Sequence, residues 1–429
     1  MKPSQTTVGW ARRPLRELCS VVRGITFSAA DASPAPFDGG IACLTTSGVQ
    51  VEPDWGACRY VRRDLVSAVQ VLRAGDILVS TANSRALVGK CCLVEQPPFD
   101  CTFGAFVTVL RPNSRIEAAL LMLWLRSPGT VAEMQRLASN TTNIANLKVS
   151  DLLALEMPVP SAEEQGRMKV TLQEALRLAG GALSAVDGAL SAARALTPSM
   201  LRIAFKELTP IHAGGAPPPA PAGWGWRTLT QVARLESGHT PSRRHPEWWG
   251  GEVPWIALPD IRALDGKLAY ATAENTNELG IANSSARVLP AHTVVMSRTA
   301  SVGFVTVMGR PMATSQDFVN WVCGREMDPF FLAYALRASR DYIRGLASGA
   351  VHKTIYMPML HSLHVCMPRI EEQRRIVAEL DARLAGADRL CSALAARREQ
   401  VEKLPSVILR SAFTPASSAL DVLPELLHA

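Results

Sequence analysis

The feature that most constrains the fold is a segment that the 429-residue chain contains twice. One copy occupies residues 157–210 and the other residues 367–415. Their shared motifs keep an offset of 208 residues, at the pairs Gln165/Gln373 and Phe205/Phe413. Because a constant offset over this length indicates duplication of a structural unit, any fold for this chain must place two equivalent copies of the segment.

Both copies have the heptad spacing of a coiled-coil helix. In the first copy the apolar residues alternate in steps of four and three, at Met168, Leu172, Ala175, Ala179, Ala182, Val186, Ala189, Ala193, Leu196, Met200 and Ile203. The second copy keeps this spacing from Val377 to Ile408 but places Arg398 in the seam. About 30 helical residues would give a rod of about 45 Å. We therefore predict two long helical spacers that pair antiparallel, with ordinary amphipathic core helices as the alternative.

The duplicated helices divide the chain into alternating parts. Both large segments mix strand and helix patterns, and their motifs recur, as at Gly24 and Gly238. In chain order we assign a first domain (1–156), a first helical spacer (157–210), a Pro/Gly-rich linker (211–223), a second domain (224–366), a second helical spacer (367–415) and a C-terminal tail (416–429). The predicted class is α+β, with two α/β domains separated by two long helices that form an antiparallel coiled coil.

Within the first domain, local patterns predict the main elements. Strands are expected near residues 19–26, 75–80 and 106–110, where apolar runs are bounded by turns. Helices are expected at 118–125 and 130–137. Polar turns separate these elements, so hydrogen-bonding side chains are concentrated in the loops.

Composition restricts the class of protein and its partners. The formal charge is +7 and the isoelectric point is about 9.0, which favours a polyanionic partner such as nucleic acid. The sequence has no long uncharged apolar run, and no apolar segment follows the N-terminal arginines, so we expect a soluble, cytoplasmic protein. Its nine cysteines include no C-x-x-C pair, which argues against a disulfide framework or a zinc ribbon.

Several motifs resemble those of one family. They are the Trp226-Arg227-Thr228-Leu229 opening with Ser237-Gly238-His239-Thr240-Pro241-Ser242, the Trp-rich turn of residues 248–256, the loop of residues 346–355, and Glu371-Glu372-Gln373-Arg374-Arg375-Ile376 at the start of the second spacer. Together with the duplicated helices, they resemble the specificity subunits of type I restriction-modification enzymes. The first half is the weaker match, since Gly39 to Leu44 stands where the second half has its tryptophans.

This resemblance implies a non-catalytic DNA reader that acts in defence against phage. Each α/β domain would be a target-recognition domain for one half of a split, asymmetric double-stranded DNA sequence. The helical spacers would set the gap between the halves and dock two methyltransferase (M) subunits, and restriction (R) subunits would join the full complex. No cofactor and no metal are implied for this chain.

Polar loops at matching places in both halves are the predicted DNA-binding sites, because Arg, Asn, Ser and Thr suit base and phosphate contacts. The candidates are Ser80, Thr81, Asn83, Arg85, Asn140, Thr142 and Asn143 in the first domain and Arg243, Arg244, Ser297, Arg298, Thr299, His352 and Lys353 in the second. Arg243 and Arg244 have no evident protein partner in the sequence, which favours phosphate contact. Candidate partner-binding residues at the spacer openings are Glu163, Glu164, Gln165, Arg167, Glu371, Glu372, Gln373 and Arg375.

Three incomplete motifs suggest an enzyme instead. Residues 96–99 resemble a methyltransferase motif but begin with Gln96, and no Gly-rich cofactor loop precedes them. Asp260 and Asp265 only superficially match a nuclease core, and His361 and His364 lack further metal ligands nearby. A stand-alone nuclease or methyltransferase is therefore the weaker hypothesis. A second alternative is a structural adaptor with coiled-coil helices and outer domains that bind peptide or RNA.

Overall fold

The computed structural model describes residues 10–140, 144–349 and 353–413. The chain forms two compact units, one built from both ends of the chain and the other from its middle. One unit comprises the chain up to Asp187 together with the chain from Ala396 onward, and the other comprises Gly188–Ala395. Each long helix therefore contributes one part to each unit. None of the described helices is long and apolar enough to span a membrane.

The first part of the chain contains short strands and helices. The strands are β1 (Ala11–Pro14), β2 (Cys19–Arg23), β3 (Ala32–Ser33), β4 (Gly40–Leu44), β5 (Arg59–Arg62), β6 (Ile77–Ser80), β7 (Ala82–Asn83), β8 (Cys91–Leu93), β9 (Cys101–Phe103), β10 (Val107–Pro112), β11 (Ser139–Asn140), β12 (Ala145–Asn146) and β13 (Glu156–Val159). The helices are α1 (Leu15–Leu18), α2 (Ala118–Leu125), α3 (Pro128–Leu137) and α4 (Val149–Ala154). The predicted strands and helices are confirmed here. Helix α3 begins at Pro128, two residues before its predicted start.

Two long helices follow the two mixed segments. Helix α5 runs over Ala162–Ala204, whereas the second copy is divided into α12 (Ile370–Glu402) and α13 (Leu404–Ala412). Between them lie β14 (Ile211–Ala213), β15 (Gly225–Thr228), α6 (Leu229–Val232), β16 (Ala233–Ser237), β17 (Trp249–Ile256), α7 (Leu258–Leu264), β18 (Leu268–Ala269), β19 (Asn275–Thr276), α8 (Glu278–Ala282), β20 (Val294–Ser297), β21 (Val305–Met308), β22 (Ala313–Thr314), β23 (Phe318–Cys323), α9 (Pro329–Ala338), α10 (Arg340–Gly345), α11 (Met357–His361) and β24 (Leu363–Met367).

The two mixed segments have the same sheet topology. In the first, the main sheet has the antiparallel order β2-β10-β6-β8. In the second, the order β16-β23-β20-β21 is equivalent, and β18 adds a parallel edge strand. A second sheet contains a parallel pair in each case, β4 with β9 and β17 with β22. The duplication seen in the sequence thus extends to the strand order, and the predicted α/β character of both segments is confirmed.

Gly24 and Gly238 occupy equivalent positions in the two mixed segments, and both lie against backbone atoms that leave no room for a side chain. A Cβ atom on Gly24 would lie 2.1 Å from the Gly104 carbonyl oxygen, and one on Gly238 would lie 2.0 Å from the Ser315 carbonyl oxygen. Any side chain at either position would collide with backbone, because real Cβ atoms do not approach this closely. Glycine at these positions therefore allows the residue after β2 to lie against the residue after β9, and the residue after β16 to lie against the residue after β22.

The long helices pack antiparallel. Leu201 and Phe205 near the end of α5 share a core with Ile376 and Leu380 near the start of α12. In the other unit, the beginning of α5 shares a core with Ile408 and Leu409 of α13. The predicted antiparallel pairing is therefore confirmed. At 43 residues, α5 is also longer than the 30 expected, and corresponds to about 65 Å of helix.

The structure corrects the expected heptad seam of α5. Met168, Leu172, Ala175 and Ala179 are buried as predicted. Beyond them, Ala182 and Ala189 are exposed, and Ile203 is 57% exposed. Ala193 is buried as predicted, and Leu190 and Leu201 are buried although they lie outside the expected seam. Leu201 is buried because it packs into the core of the second unit.

The first residues of the expected linker form a strand. Ile211 pairs with Val365, and Ala213 with Leu363, so β14 joins the three-stranded sheet β14-β24-β15. The Pro-rich residues that follow have one side-chain tie, from the Trp226 indole N–H to the Pro218 carbonyl oxygen at 2.8 Å. The segment from residue 214 onward connects this strand to β15.

Candidate nucleic-acid interface

In the first mixed segment, the two predicted DNA-binding loops meet at a small sheet. Strand β12 pairs with β11 on one side and with β7 on the other, so that Ala145 lies opposite Asn83 and Asn146 opposite Ser139. The Leu147 N–H donates to the Thr81 carbonyl oxygen at 2.8 Å. Loops that are about 60 residues apart in sequence therefore form one surface. Of the predicted residues, Thr142 and Asn143 lie outside the described part of the chain, and Asn140 ends β11.

The second mixed segment builds the same junction. Thr354 forms bridges to Thr299 and to Ser348, and the Ile355 N–H donates to the Arg298 carbonyl oxygen at 2.9 Å. The Ala300 N–H donates to the Lys353 carbonyl oxygen at 3.2 Å. The loops predicted from the second half are thus also brought together. His352 lies outside the described residues.

Burial separates the predicted residues into two groups. Ser80 and Ser297 are fully buried, and Thr81 is 7% exposed. The Ser297 hydroxyl donates to the Ser301 carbonyl oxygen, and the Thr81 hydroxyl lies 3.1 Å from that of Thr108. We correct the sequence-based assignment for these three residues, because their hydroxyls are enclosed and already bonded within the protein. They hold the loops in place and do not face a ligand.

The side chains of Asn83 and Arg298 already make hydrogen bonds within the protein. The Asn83 amide donates to the Ser80 hydroxyl at 3.0 Å, and its oxygen accepts from the Ser84 N–H at 2.8 Å. The Arg298 guanidinium donates to the carbonyl oxygens of Gln316 and Ile355, at 3.1 and 3.3 Å. A guanidinium has five N–H donors, so Arg298 keeps donors for a ligand while it braces two segments.

The freest predicted side chains are cationic. Arg85 and Lys353 are exposed, and within the described residues neither side chain has a hydrogen-bond or ion-pair partner. Thr299 is half-buried and lies 3.4 Å, between hydroxyl oxygens, from Thr354. Each junction therefore presents an exposed cationic side chain beside polar backbone, and such side chains are suited to phosphate and base contacts.

Sequence reasoning missed two aromatic residues at the junctions. Phe106 and Tyr356 are each 59% exposed. The Phe106 carbonyl oxygen accepts from the Thr81 N–H at 3.0 Å, and Tyr356 directly follows Ile355. Phe106 was missed because it belongs to an apolar run that was predicted to be entirely strand. Exposed aromatic side chains beside a polar loop are suited to stacking or to contact with a thymine methyl group.

One residue of the second junction has a strained backbone. Ala300 has a φ of 59°, in the left-handed region that residues with a Cβ rarely adopt. Such a conformation costs of order 1 kcal/mol and persists only where the surroundings impose it. The hydrogen bond from Ala300 to Lys353 and the neighbouring Thr299 bridge are the contacts that impose it here.

The Trp-rich turn gives Arg243 a partner that the sequence did not reveal. Its guanidinium makes two hydrogen bonds to the Glu274 carboxylate, at 2.9 and 2.6 Å, and lies 3.8 Å above the Trp249 ring. These hydrogen bonds hold the pKa of Glu274 below its usual range. The expectation that Arg243 lacks a protein partner is therefore wrong, because Glu274 approaches from a segment 31 residues away. Arg244 is exposed, and its side chain has no ion-pair partner in the described chain.

The tryptophans of this turn have different roles. Trp255 is 3% exposed, and its indole N–H donates to the His239 carbonyl oxygen at 3.1 Å, so it anchors the turn to the core. Trp249 is half-buried and packs edge-on against Trp255 at 4.9 Å between ring centres. Trp248 stacks on the His245 ring at 4.2 Å. These contacts make the turn a rigid, partly exposed aromatic surface.

The helix openings contain a matched structural clamp. The Gln165 amide donates to the carbonyl oxygens of Arg115 and Pro160, and its oxygen accepts from the Glu117 N–H. Gln373 repeats all three contacts, with carbonyl acceptors on Glu326 and Pro368 and a donor at the Asp328 N–H.

Both glutamine side chains are enclosed, with Gln165 5% and Gln373 0% exposed. We therefore correct their assignment as partner-binding residues, because every donor bond they make is to the protein's own backbone. The other candidates near the openings are on the surface. Glu163, Arg167 and Glu371 are exposed, and Glu164 caps the helix through hydrogen bonds from Ser161. Glu372 and Arg375 form an ion pair at 2.7 Å.

The enzyme-like motifs are tied into the fold. The Asp260 carboxylate accepts hydrogen bonds from the Ala257 and Ala273 N–H groups, and Asp265 binds Arg340. His364 contacts the Ser362 carbonyl oxygen at 3.0 Å. The described residues contain no group of three or more His, Cys, Asp or Glu placed to hold a metal ion.

The fold defines a class of duplicated α/β proteins with two paired long helices and one polar loop junction in each unit. Residues 221–392 match the family model of the type I restriction modification DNA specificity domain. The type I restriction enzyme StySPI specificity subunit of Salmonella potsdam is 24% identical over 427 residues, which is 94% of this chain and 88% of that subunit.

Other matches agree in kind. The MjaIX specificity subunit of Methanocaldococcus jannaschii is 24% identical over 162 residues, and the match covers 37% of this chain and 38% of that subunit. A chain from a solved type I restriction-modification system superimposes with a TM-score of 0.73 at 20% identity, covering 96% of this chain and 99% of that chain. The family match over residues 221–392 and these similar proteins indicate a specificity subunit of a type I restriction-modification system, as the sequence motifs predicted.

Proposed function

We propose that this protein recognises a bipartite, asymmetric double-stranded DNA sequence on behalf of a type I restriction-modification complex. The observation that carries the proposal is the repeated junction of polar loops, once in each unit. Both junctions use the same backbone scheme, with N–H donation from Leu147 to Thr81 and from Ile355 to Arg298. Their exposed side chains differ, and this difference would let the two units read different bases.

The exposed chemistry of the junctions suits DNA. Arg pairs with guanine in the major groove through two hydrogen bonds, and cationic side chains also bind phosphates. Arg85 would act in one half-site, and Lys353, Thr299 and the remaining donors of Arg298 in the other. The net charge of +7 adds sequence-independent attraction to the phosphate backbone. Asn140, Thr142, Asn143 and His352 remain candidates on their sequence positions alone.

The duplicated helices support a second role in assembly. Because the helix openings are repeated, each can present an equivalent surface to one of two identical partners. Glu163 and Arg167 in one opening correspond to Glu371 and Arg375 in the other. We infer that two methyltransferase (M) subunits dock on these openings and that restriction (R) subunits join through them. The relatives are named as specificity subunits, which agrees with a division of labour in which this chain reads DNA and its partners carry out the reactions.

The proposal treats the chain itself as non-catalytic and without a cofactor of its own. It is tested by expressing the chain with the methyltransferase subunits of its locus and mapping methylated adenines in the host DNA. The expected result is methylation at one two-part sequence that vanishes when only this chain is omitted. Methylation that is unchanged without the chain would instead favour an adaptor that has no part in reading DNA.

A further inference from the structure

The loop between β20 and β21 contains most of the second junction, so its support matters for recognition. It begins after Ser297 and ends before Val305, and includes Arg298, Thr299 and Ala300. Gly303 has a φ of 84°, and its N–H donates to the Ser297 carbonyl oxygen at 2.9 Å. The turn at Gly303 therefore returns the chain to the sheet after the junction residues.

Arg340 and Arg344 both hold this turn from outside the loop: the Arg344 Nε donates to the Val302 carbonyl oxygen at 3.3 Å, and Arg340 makes the more extensive contacts. The Arg340 Nε donates to the Gly303 carbonyl oxygen at 2.9 Å, and its Nη2 donates to both carboxylate oxygens of Asp265, at 2.6 and 2.7 Å. Asp265 Oδ1 also accepts from the Val305 N–H at 2.9 Å. The Arg340 guanidinium lies 5.0 Å from the Phe304 ring centre. Gly303 and Phe304 of the loop and Val305, the first residue of β21, thus contact a single Arg–Asp pair.

The pair is shielded from solvent. The Arg340 and Asp265 side chains are 24% and 16% exposed. Charge-assisted hydrogen bonds of this kind are shorter and stronger than neutral ones, and a planar fork that binds two groups fixes orientation as well as distance. Lysine cannot reproduce this geometry, because its single ammonium cannot bind a carboxylate and a carbonyl oxygen along the same two directions.

The first unit supports its equivalent turn differently. Gly89 has a φ of 85°, and its N–H donates to the Ser80 carbonyl oxygen at 2.9 Å, as Gly303 does to Ser297. The neighbouring helix presents Met134 to this glycine, whose Cβ position would lie 3.3 Å from the Met134 Sδ atom. An apolar contact therefore stands where the second unit has a charged pair.

We propose that Arg340 is a positioning residue for the second recognition loop and controls base discrimination in one half-site only. Through Asp265 and Gly303 it holds the turn that fixes the directions of Arg298 and Thr299. It does not itself contact DNA. This inference rests on the proposed function of the chain as a reader of a two-part DNA site.

The test compares Arg340→Lys with Asp341→Asn in the complete complex. Asp341 is the adjacent residue, its side chain is 98% exposed, and it pairs with Arg344 at 3.5 Å. Both variants are expressed with the methyltransferase subunits, and methylated adenines are mapped genome-wide. For Arg340→Lys, methylation at sites with one changed base in the second half-site should rise roughly fivefold or more relative to the intact site. Base specificity in the first half-site should not change. Asp341→Asn should match the unchanged protein.

A second measurement separates positioning from loss of folding. Binding of the complex to random-sequence duplex DNA is measured over a range of salt concentrations. Arg340→Lys should leave both the affinity and its salt dependence unchanged, because phosphate contacts do not need the fine orientation of the loop. A flatter salt dependence would mean that the second unit has lost its fold, and would overturn the positioning role.

The two proposals fail in different ways. If the unchanged protein directs methylation to no two-part sequence, the proposed function is wrong. If the unchanged protein does direct methylation to a two-part sequence, Arg340→Lys should relax base specificity in the second half-site only. If Arg340→Lys leaves base specificity unchanged in both half-sites or relaxes it in both, Arg340 does not position the second loop.

Discussion

Gln165 and Gln373 are the shared residues by which the duplication is recognised, and their role is structural. Each joins the start of a long helix to the loop that precedes a domain helix, through three hydrogen bonds. Their sequence context suggested a surface motif, since charged residues flank both glutamines. Only burial, which depends on the distant segments around residues 115 and 326, distinguishes them from those neighbours.

Replacement of Gln373 by alanine should therefore lower the free energy of unfolding. The change leaves the Asp328 N–H and two carbonyl oxygens without their partner in a closed site, which costs about 1 to 3 kcal/mol. Denaturant titration of the purified chain measures the loss. Glu371→Ala, at an exposed position two residues earlier, is the control and should change stability by much less. Equal stability of the two variants would contradict the clamp.

The two arginines of the Trp-rich turn should differ in their contribution to DNA binding. Arg244 is free of ion pairs within the described chain, so Arg244→Ala should reduce the slope of log affinity against log salt by about one unit. Arg243 is held by Glu274 and Trp249, so Arg243→Ala should change this slope less and loosen the turn instead. Binding of each variant to duplex DNA at several salt concentrations gives both slopes. A larger effect from Arg243 would show that its pair with Glu274 opens to a phosphate.

Residue type alone predicted which loops matter but not which side chains are available. The loop around Ser80 does contact the loop around Asn140, and the loop around Ser297 contacts the loop around Lys353. The recurrence of equivalent loops in both halves was the reason for this prediction. Ser80, Thr81 and Ser297 nevertheless face inward. Whether a hydroxyl at a strand end points to solvent or back to its own loop depends on contacts such as that between Thr81 and Thr108, which no local pattern contains.

At the scale of elements, the heptad pattern predicted helices and their antiparallel pairing, and both are confirmed. Beyond Ala179 it was right for Ala193 but wrong for Ala182, Ala189 and Ile203, and it did not include Leu190 and Leu201, which are buried. Small residues make this part of α5 ambiguous, because alanine occurs on all its faces. The interruption of the second copy had a visible signal: Pro198 and Pro405 are 207 residues apart, not 208, and α12 ends close to Pro405.

The helices should act as a ruler for the gap between half-sites. Seven residues inserted into both helices would add about 10 Å of rise, or roughly three base pairs at ~3.4 Å each, while preserving the seven-residue register. Insertions after Arg177 and Leu384 would disturb the domain cores, since both residues lie within helix segments packed on them. Insertions after Asp187 and Ala395 fall at the unit boundaries and leave the Asp187–Arg398 ion pair intact.

Methylation mapping of strains that carry the doubly lengthened protein measures the gap directly. The two half-sites should be unchanged and the gap wider by about three base pairs. Seven residues inserted at Pro218, in the Pro-rich segment, are the control and should leave the gap unchanged. If the Pro218 insertion changed the gap and the helix insertions did not, the prediction that the helices set the gap would be contradicted.

At the scale of the molecule, the chain builds one fold twice, and each unit uses parts of both long helices. The sequence predicted the duplication and the α/β segments from offsets and strand patterns. It did not predict that Ile211–Ala213 joins the sheet of β24, because a short strand before a Pro-rich segment lacks the length to be recognised. Nor could it predict the Arg243–Glu274 and Arg340–Asp265 pairs, each of which joins segments distant in sequence.

The central claim is that each unit reads its own half of one DNA sequence. It is tested most directly by mapping methylated adenines in strains that carry Arg85→Ala or Lys353→Ala, since both side chains are exposed and free of partners in the described chain. Arg85→Ala should relax base preference in one half-site, Lys353→Ala should relax it in the other, and loss of a direct base contact corresponds to about 1 to 3 kcal/mol at that position. If both changes weaken the same half-site, or if they lower methylation uniformly with both halves still sharp, the two junctions are not separate readers and the account is wrong.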